Sequence, residues 1–234
     1  SFTVQFENDR IANTDRHYTH GTRFSWTSEE FEEPPEQASW LPDAIKAAKD
    51  AGIEYVFLTS NGSLSTPDKV KACMEAGVGS LKFSLNYADE EQFCSIAQVK
   101  GSLFHTMVDN IKAARGIRDE GGYECGLYGS YIDYDGEQGE RMAEMVAEFE
   151  PYLDEVYALP LYSQADLVSL DEKDRGWDIR GGNPGRAGCM RPPVPCWSLF
   201  TEARVSFDGH LSACCFDHDG RFRMGDLKEI SFME

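Results

Sequence analysis

Apolar residues recur with two different periods along the middle of the chain, between about residues 42 and 165. Short apolar runs such as "YVFLTS" and "LKFSL" have the length and the composition of buried strands. Between them, apolar side chains return every three or four residues, as Val70, Cys73 and Met74 do, which is typical of one helix face. The pattern predicts, in order, helix 42–52, strand 53–62, helix 66–77, strand 80–86, helix 102–118, strand 123–133, helix 139–152 and strand 154–164.

Capping residues support this order of elements. Thr66 stands where the N-cap of the second helix is expected, Pro67 follows at the first helical position, and Gly77 closes the helix. No hairpin signal separates the predicted strands, so their alternation with helices indicates parallel βαβ units. The sequence therefore predicts an α/β fold in which a partial parallel (β/α) barrel is followed by a small irregular module.

The two ends of the chain have a different character. Apolar residues alternate at both ends of residues 1–27, which predicts a strand pair, and an acidic linker with Pro34 and Pro35 follows. The last block is rich in Gly and Pro, and its clearest feature is a predicted hairpin turning at Asp208–Gly209. We therefore expect a strand pair and linker of foreign character at 1–41, the partial barrel at 42–165 and a cysteine-containing module at 166–234.

The charge balance argues against two classes of partner. The 234 residues contain 22 Lys and Arg against 41 Asp and Glu, a formal net charge of -19. We expect no nucleic-acid binding, which needs a basic face, and no binding of residues 42–234 to an anionic membrane surface. No run of about 18 apolar residues predicts a transmembrane helix. The sequence starts at Ser1 without an initiator Met, which indicates a processed or partial chain.

Polar residues gather where the predicted strands end. Asn61 follows one strand, Ser84 and Asn86 close the next, and Ser130 lies near the end of the third. Parallel α/β folds bind their ligands at the carboxyl ends of strands, so these residues predict a binding site. The alternative is that residues near loops are polar in any protein, and the pattern alone leaves both interpretations open.

The seven cysteines fall into two groups. Cys73, Cys94 and Cys125 lie in apolar, periodic contexts and are expected to be small core residues. The other four lie within 27 residues among Gly, Pro and Asp, which favours metal or cluster ligands in a reducing compartment. These four are Cys189, Cys196, Cys214 and Cys215. A turn at Asp208–Gly209 would bring Cys196 near the adjacent pair.

The spacing of these cysteines is specific. Cys196 is followed by twelve residues, Gly209, four residues and Cys214. The motif resembles the start of the SPASM module, the auxiliary iron–sulfur domain of many radical S-adenosylmethionine (radical SAM) enzymes. The resemblance implies a 4Fe-4S cluster with Cys196, Cys214 and Cys215 as metal ligands. The ligand set is expected to be incomplete, because the family's further downstream cysteines are not in this sequence, and because only one member of the adjacent pair is expected to bind.

The middle of the chain carries an independent resemblance to the same enzymes. "YVFLTSNGSLSTPDKVKACMEAGVGSLKFSLNYADEEQF" resembles the radical SAM barrel from its third strand onward. The resemblance implies that S-adenosylmethionine binds near Asn61, Ser84 and Asn86, with Ser130 at the next strand end. It also implies a cytoplasmic enzyme whose substrate is a peptide, another protein or a small metabolite. The family's CxxxCxxC loop is missing, so the chain as written is expected to be an inactive piece of such an enzyme.

The first residues carry a separate resemblance. "FENDRIANTDRHYTHGTRFSW" is similar to the beginning of the lipid A 3′-O-deacylase family, outer-membrane esterases built as antiparallel barrels. The resemblance places Asn8, Asp9 and Thr19 in an esterase site. A junction between two unrelated reading frames near residues 34–42 would explain both resemblances, and a genuine two-module protein is the alternative.

A zinc-binding module is a third interpretation. Its ligands would come from the clustered cysteines and two nearby histidines, namely Cys189, Cys196, Cys214, Cys215, His210 and His218. Structural zinc sites usually contain paired CxxC motifs, and none is present here. The sequence therefore favours an iron–sulfur site and leaves zinc open.

Overall fold

A computed structural model describes residues 2–8, 20–26, 41–97, 100–134, 136–159, 203–206, 209–215, 217 and 220–230, with the backbone alone for 2–8, 20–26 and 95–97. The chain divides into two compact units, residues 28–159 and residues 1–27 together with 160–234. The domain boundaries given by the sequence stay a prediction. The described strands are β1 (Phe2–Asn8), β2 (His20–Trp26), β3 (Val56–Ser60), β4 (Ser80–Ser84), β5 (Gly126–Ile132), β6 (Glu155–Leu159), β7 (Ala203–Val205), β8 (His210–Ser212) and β9 (Arg223–Asp226). The described helices are α1 (Leu41–Asp50), α2 (Pro67–Glu75), α3 (Glu90–Ala97), α4 (Ser102–Gly121) and α5 (Gly136–Phe149). A 3-10 turn, Glu150–Tyr152, follows α5.

The unit of residues 28–159 contains a four-stranded parallel sheet with helices, which confirms the predicted α/β class. Strand β3 pairs with β4, β4 with β5 and β5 with β6, each in parallel. Spatial order therefore equals chain order. Since βαβ crossovers are right-handed, this sequential winding places the connecting helices on one face of the sheet. A doubly wound sheet would instead reverse its strand order and carry helices on both faces.

Alternation along the strands separates a buried face from a polar face. Leu58, Leu81 and Leu127 share one register row and are at most 9% exposed. Phe83, at 1%, continues this face two residues further along β4. The helices bury the apolar positions that their spacing predicts, among them Val70, Cys73, Met74, Met107, Ile111, Met142, Met145 and Phe149. Burial of these side chains against the sheet holds the unit together.

Helix α3 has no counterpart in the sequence prediction. Asp89 caps it, because one carboxylate oxygen accepts a hydrogen bond from the backbone N–H of Gln92 at 2.9 Å. The Gln92 side chain accepts in turn from the backbone N–H of Ala88 at 2.6 Å. Arg141 of α5 pairs with Asp89. Although partial burial alone raises the pKa of Asp89, the hydrogen bonds from Gln92 and Arg141 outweigh it, so the pKa is lowered.

A cluster of charged side chains stabilises the amino ends of β5 and β6. Asp154 accepts hydrogen bonds from Arg118 at 2.6 Å and from the backbone N–H of Leu127 at 2.8 Å. Arg115 lies 3.4 Å from the other carboxylate oxygen. In parallel α/β folds, residues at this end of the strands serve stability, and the opposite end carries the chemistry.

The other unit is antiparallel. Strands β1 and β2 pair from Phe2↔Trp26 to Asn8↔His20, which confirms the predicted strands at both ends of residues 1–27. Strand β1 also pairs with β7. The predicted hairpin is present as β7 and β8, with Gly209 at a φ of 87°, a backbone conformation that favours glycine. Strand β9, which pairs with β8, was not predicted.

Within the described residues, no helix is long and apolar enough to cross a membrane.

Candidate functional site

The turn after β3 is fixed by hydrogen bonds on both of its sides. The hydroxyl of Ser60 accepts from the backbone N–H of Gly62 at 3.0 Å and from the hydroxyl of Ser65 at 3.1 Å. Gly62 has a φ of 87°, and a Cβ at this position would lie 3.0 Å from Ile111. The turn therefore needs glycine both for its backbone conformation and for its close approach to α4.

Asn110 of α4 stabilises this turn through hydrogen bonds from its side chain. Its side-chain amide donates to the carbonyl oxygen of Gly62 at 2.9 Å and to that of Ser63 at 3.3 Å, and the residue is 6% exposed. The sequence analysis did not identify Asn110. A signal was present, because Asn110 falls between Met107 and Ile111 on the buried face of the helix. A polar residue in such a position needs a specific partner.

The predicted ligand-binding residue Asn61 projects from this turn. Its side-chain oxygen accepts hydrogen bonds from the backbone N–H of Ser63 at 3.0 Å and from the Ser63 hydroxyl at 2.8 Å. Asn61 is exposed. Because its oxygen is engaged within the turn, the side chain offers a ligand mainly the two N–H donors of its amide.

The other predicted residues lie at the same edge of the sheet. Ser84 pairs in register with Ser130, so their side chains are neighbours on one face. Ser84 and Asn86 are half-buried, whereas Ser130 is only 2% exposed. The backbone N–H of Leu85 donates to the carbonyl oxygen of Ser130 at 2.7 Å, which continues the pairing past the strand end. Their assignment to a ligand stays a prediction.

The same face carries a second polar row, of which the sequence analysis did not identify Lys82, Tyr128 and Glu155. Thr59, Lys82, Tyr128 and Glu155 share one register row across all four parallel strands. The ammonium nitrogen of Lys82 lies 5.5 Å from the ring centroid of Tyr157, which belongs to the Ser84–Ser130 row. A closed parallel barrel fills this interior with packed aliphatic side chains. Here the row carries hydroxyls and charges instead.

The cysteine pair of the other unit follows β8 and is half-buried. Asp217 fixes the loop that carries it. One carboxylate oxygen of Asp217 accepts from the Ser212 hydroxyl at 2.6 Å and from the backbone N–H of Phe222 at 3.2 Å. The backbone N–H of Asp217 donates to the carbonyl oxygen of Cys214 at 3.2 Å. The loop bearing Cys214 and Cys215 is therefore closed by side-chain and backbone bonds.

The predicted metal ligands are only partly visible. No group of three or more His, Cys, Asp or Glu side chains that could hold a metal is present among the residues that the structure describes. Cys189, Cys196 and His218 lie outside those residues. The assignment of Cys196, Cys214 and Cys215 as metal ligands thus stays a prediction.

Two other thiols are buried, and their pKa values are raised. Burial raises the pKa of Cys73 to about 11 and that of Cys125 to about 12. Both residues are at most 6% exposed, as expected for core cysteines. Because the thiolate is the nucleophile, neither thiol carries appreciable charge near neutral pH.

We expect iodoacetamide to modify Cys214 of the metal-free protein at pH 8 and to leave Cys73 and Cys125 unmodified. The two core thiols should react only when the pH approaches their raised pKa values or when urea unfolds the chain. Peptide mapping by mass spectrometry measures this difference. Modification of Cys125 at the same rate as Cys214 under native conditions would contradict it.

Two family models match parts of the chain. Residues 196–234 match SPASM, an iron-sulfur cluster-binding domain, which confirms the resemblance seen in the tail. Residues 1–87 match LpxR, described as outer membrane protein LpxR, which confirms the second resemblance. The LpxR match extends past the first strand pair, yet residues 41–87 contain α1, β3, α2 and β4, with β3 and β4 parallel. In this part of the match the structure is therefore α/β, with parallel strands, and not an antiparallel strand pair. No curated protein sequence matches the chain.

Several solved structures resemble the chain at low identity. SuiB from Streptococcus suis is 15% identical, covers 82% of this chain and 50% of its own, and has a TM-score of 0.49. SuiB bound to S-adenosylmethionine is 13% identical over 88% of this chain and 58% of its own, with a TM-score of 0.41. 2,3-Dimethylmalate lyase, a PEP mutase/isocitrate lyase superfamily member, is 12% identical over 61% of this chain and 48% of its own, with a TM-score of 0.40. The chain thus spans about half the length of SuiB and of the lyase. TM-scores below 0.5 do not establish a shared fold, and these identities do not transfer a function.

Proposed function

We propose that the chain belongs to a radical SAM enzyme that carries an auxiliary iron–sulfur module. The single observation that carries this proposal is the SPASM match over residues 196–234. The second support is the sequentially wound parallel sheet of residues 28–159, whose carboxyl edge carries polar side chains. The substrate is a peptide, a protein or a small metabolite, and the compartment is the reducing cytoplasm.

The thiol chemistry of the tail fits an iron–sulfur cluster. Thiolates are the ligands of such clusters, and a 4Fe-4S cluster generally takes four of them. Cys214 and Cys215 follow a hairpin whose loop is closed around Asp217, so at least one thiol is presented from an ordered turn. Cys196 supplies the second thiol in this proposal, and Cys189 is available as a third. When bound, the cluster would transfer electrons or contact substrate.

The carboxyl edge of the parallel sheet fits the second cofactor. S-adenosylmethionine presents a purine, a ribose and an amino-acid group, which require several hydrogen-bond donors and acceptors. Asn61 offers amide N–H donors, and the hydroxyls of Ser84 and Ser130 lie on neighbouring strands. In this proposal these residues and Asn86 bind and orient the cofactor. The sequence lacks the CxxxCxxC loop, so the chain as written binds the cofactor without cleaving it.

Anaerobic reconstitution with ferrous iron and sulfide tests the proposal. We expect the protein to gain the visible absorption of an iron–sulfur cluster and to lose it on exposure to air. A protein that remains colourless and binds zinc stoichiometrically would support the zinc module instead. Apo-protein that binds neither metal would contradict both assignments.

A further inference from the structure

The loop that follows β8 buries a carboxylate oxygen for which the chain supplies no hydrogen-bond donor. Asp217 is 9% exposed. Its Oδ2 accepts from the Ser212 hydroxyl at 2.6 Å and from the backbone N–H of Phe222 at 3.2 Å. Its Oδ1 is also buried, and no donor reaches it among the residues that the structure describes. A buried acceptor without a partner costs free energy, so this atom calls for a ligand.

The hydrogen bonds of the loop fix the orientation of this carboxylate. The backbone N–H of Ala213 donates to the carbonyl oxygen of Phe222 at 3.0 Å, which closes the base of the loop. The two donors to Asp217, from Ser212 and Phe222, lie on opposite sides of that base and both bind Oδ2. The carboxylate cannot exchange its two oxygens without breaking both bonds. Closure of the loop therefore needs Oδ2 alone and does not account for Oδ1.

Asp217 shares a turn with one of the predicted metal ligands. Its backbone N–H donates to the carbonyl oxygen of Cys214 at 3.2 Å, so the two residues begin and end a four-residue turn. The Cα atoms at the ends of such a turn lie within about 7 Å of each other. The Cys214 side chain is half-buried. Thiolate and carboxylate groups both bind metals, and a carboxylate oxygen, which only accepts, is satisfied by a cation as well as by a donor.

We propose that Asp217 is a ligand of the cluster and binds one of its iron atoms through Oδ1, beside Cys214. A 4Fe-4S cluster generally takes four ligands, and iron in proteins also binds carboxylate oxygen. Within the described residues, Asp217 and the cysteine pair do not form a metal-binding group of three by themselves. The other ligands in this proposal are Cys196 and Cys189, which lie outside the described residues. The inference deepens the proposed function and rests on it.

Asp217→Asn separates ligation from closure of the loop. The amide oxygen can accept the two bonds from Ser212 and Phe222, whereas the amide nitrogen that replaces Oδ1 is a donor and does not bind iron. We expect the reconstituted variant to lose iron to a ferrous-iron chelator about tenfold faster than the unmodified protein, since loss of even an outer-shell partner of a metal costs about that much. Equal rates of iron loss in the two proteins would overturn the proposal.

Two controls accompany this variant. Glu229→Gln makes the same chemical change at an exposed carboxylate of the same unit, and it should lose iron at the unmodified rate. Alkylation of Cys214 by iodoacetamide in the metal-free protein reports on the loop, and we expect the same rate in Asp217→Asn and in the unmodified protein. If Asp217→Asn is alkylated faster, its iron loss comes from an opened loop, and Asp217→Cys alone then decides the assignment.

Asp217→Cys tests ligation by rescue. Thiolate is the usual ligand of iron–sulfur clusters, so this variant should keep its iron and acid-labile sulfide in the presence of the chelator. Its reduced cluster should give an electron paramagnetic resonance spectrum that differs from that of the unmodified protein, because one iron has exchanged an oxygen ligand for sulfur. Loss of the cluster in this variant, or a spectrum identical to that of the unmodified protein, would contradict ligation by Asp217.

The same measurements distinguish this inference from the proposed function. Unmodified protein that takes up no iron would overturn both. Unmodified protein that takes up iron and sulfide, together with an Asp217→Asn variant that holds them equally well, would leave the iron–sulfur assignment in place and overturn only the role of Asp217.

Discussion

Replacing Phe83 with Ala should lower the free energy of unfolding by about 3–5 kcal/mol. Phe83 is 1% exposed and lies on β4 in register with Ser60 and Gly129, so truncation leaves a cavity in the central part of the buried face. Glycine on the neighbouring strand cannot fill that volume. Urea unfolding followed by circular dichroism measures the loss, since all the described helices belong to this unit.

Two control substitutions show whether the loss of stability comes from the missing apolar volume of Phe83. Phe83→Leu keeps most of the apolar volume and should cost less than about 1.5 kcal/mol. Lys71→Ala, on the exposed side of α2, should change stability by no more than about 0.5 kcal/mol. A loss below about 1 kcal/mol for Phe83→Ala would show that the parallel sheet does not have its core on this face.

Replacing Asn110 with Asp should destabilise the protein by about 3–5 kcal/mol at pH 7. The change keeps the shape of the side chain but turns its donor into a carboxylate oxygen that faces the carbonyl oxygens of Gly62 and Ser63. Burial would raise the pKa of the introduced carboxyl group. The penalty is complete above that raised pKa, and it shrinks as the pH falls toward the ordinary Asp value of about 3.9. Unfolding curves at several pH values measure this dependence.

Asn110→Ala and Asp109→Asn are the matched controls. Asn110→Ala leaves the two carbonyl oxygens without a donor and should cost about 1–3 kcal/mol, with a pH dependence like that of the unmodified protein. Asp109 is exposed on the same helix, so Asp109→Asn should have an effect within about 0.5 kcal/mol. If Asn110→Asp and Asn110→Ala differ neither in size nor in pH dependence, Asn110 does not hold the turn through its donor.

The periodic elements could be predicted because each satisfies its own local rules. The face made by Val70, Cys73 and Met74 reads directly as a buried helix stripe, and the structure buries all three residues. The positions of Asn61 and Ser84 at the carboxyl ends of their strands could be predicted from the parallel topology alone. Helix α3 was missed because it has only eight residues and its cap depends on Asp89 and Gln92, which a search for apolar periodicity does not weigh.

The side-chain partnerships could not be predicted, because they join residues distant in sequence. Asn110 reaches Gly62 across 48 positions, and only the packing of α4 beneath the turn brings them together. Lys82 lies within a segment that was predicted only as a strand, and its neighbours Thr59 and Tyr157 become visible only once the register of three other strands is known. Strand β9 depends on pairing with β8 and has no apolar alternation of its own.

The central claim is that the cysteines near the end of the chain hold an iron–sulfur cluster. Measuring the iron content of variants that lack these cysteines tests this claim most directly. We expect anaerobically reconstituted protein and the Cys73→Ser control, which changes a buried thiol with a suppressed thiolate, to bind the same amount of iron and acid-labile sulfide per chain. Cys214→Ser and Cys196→Ser should each lose the visible absorption of the cluster and most of the iron. Unchanged iron content in both of these variants would show that the thiols around the β7–β8 hairpin do not hold a cluster, and the assignment to an iron–sulfur enzyme would fail.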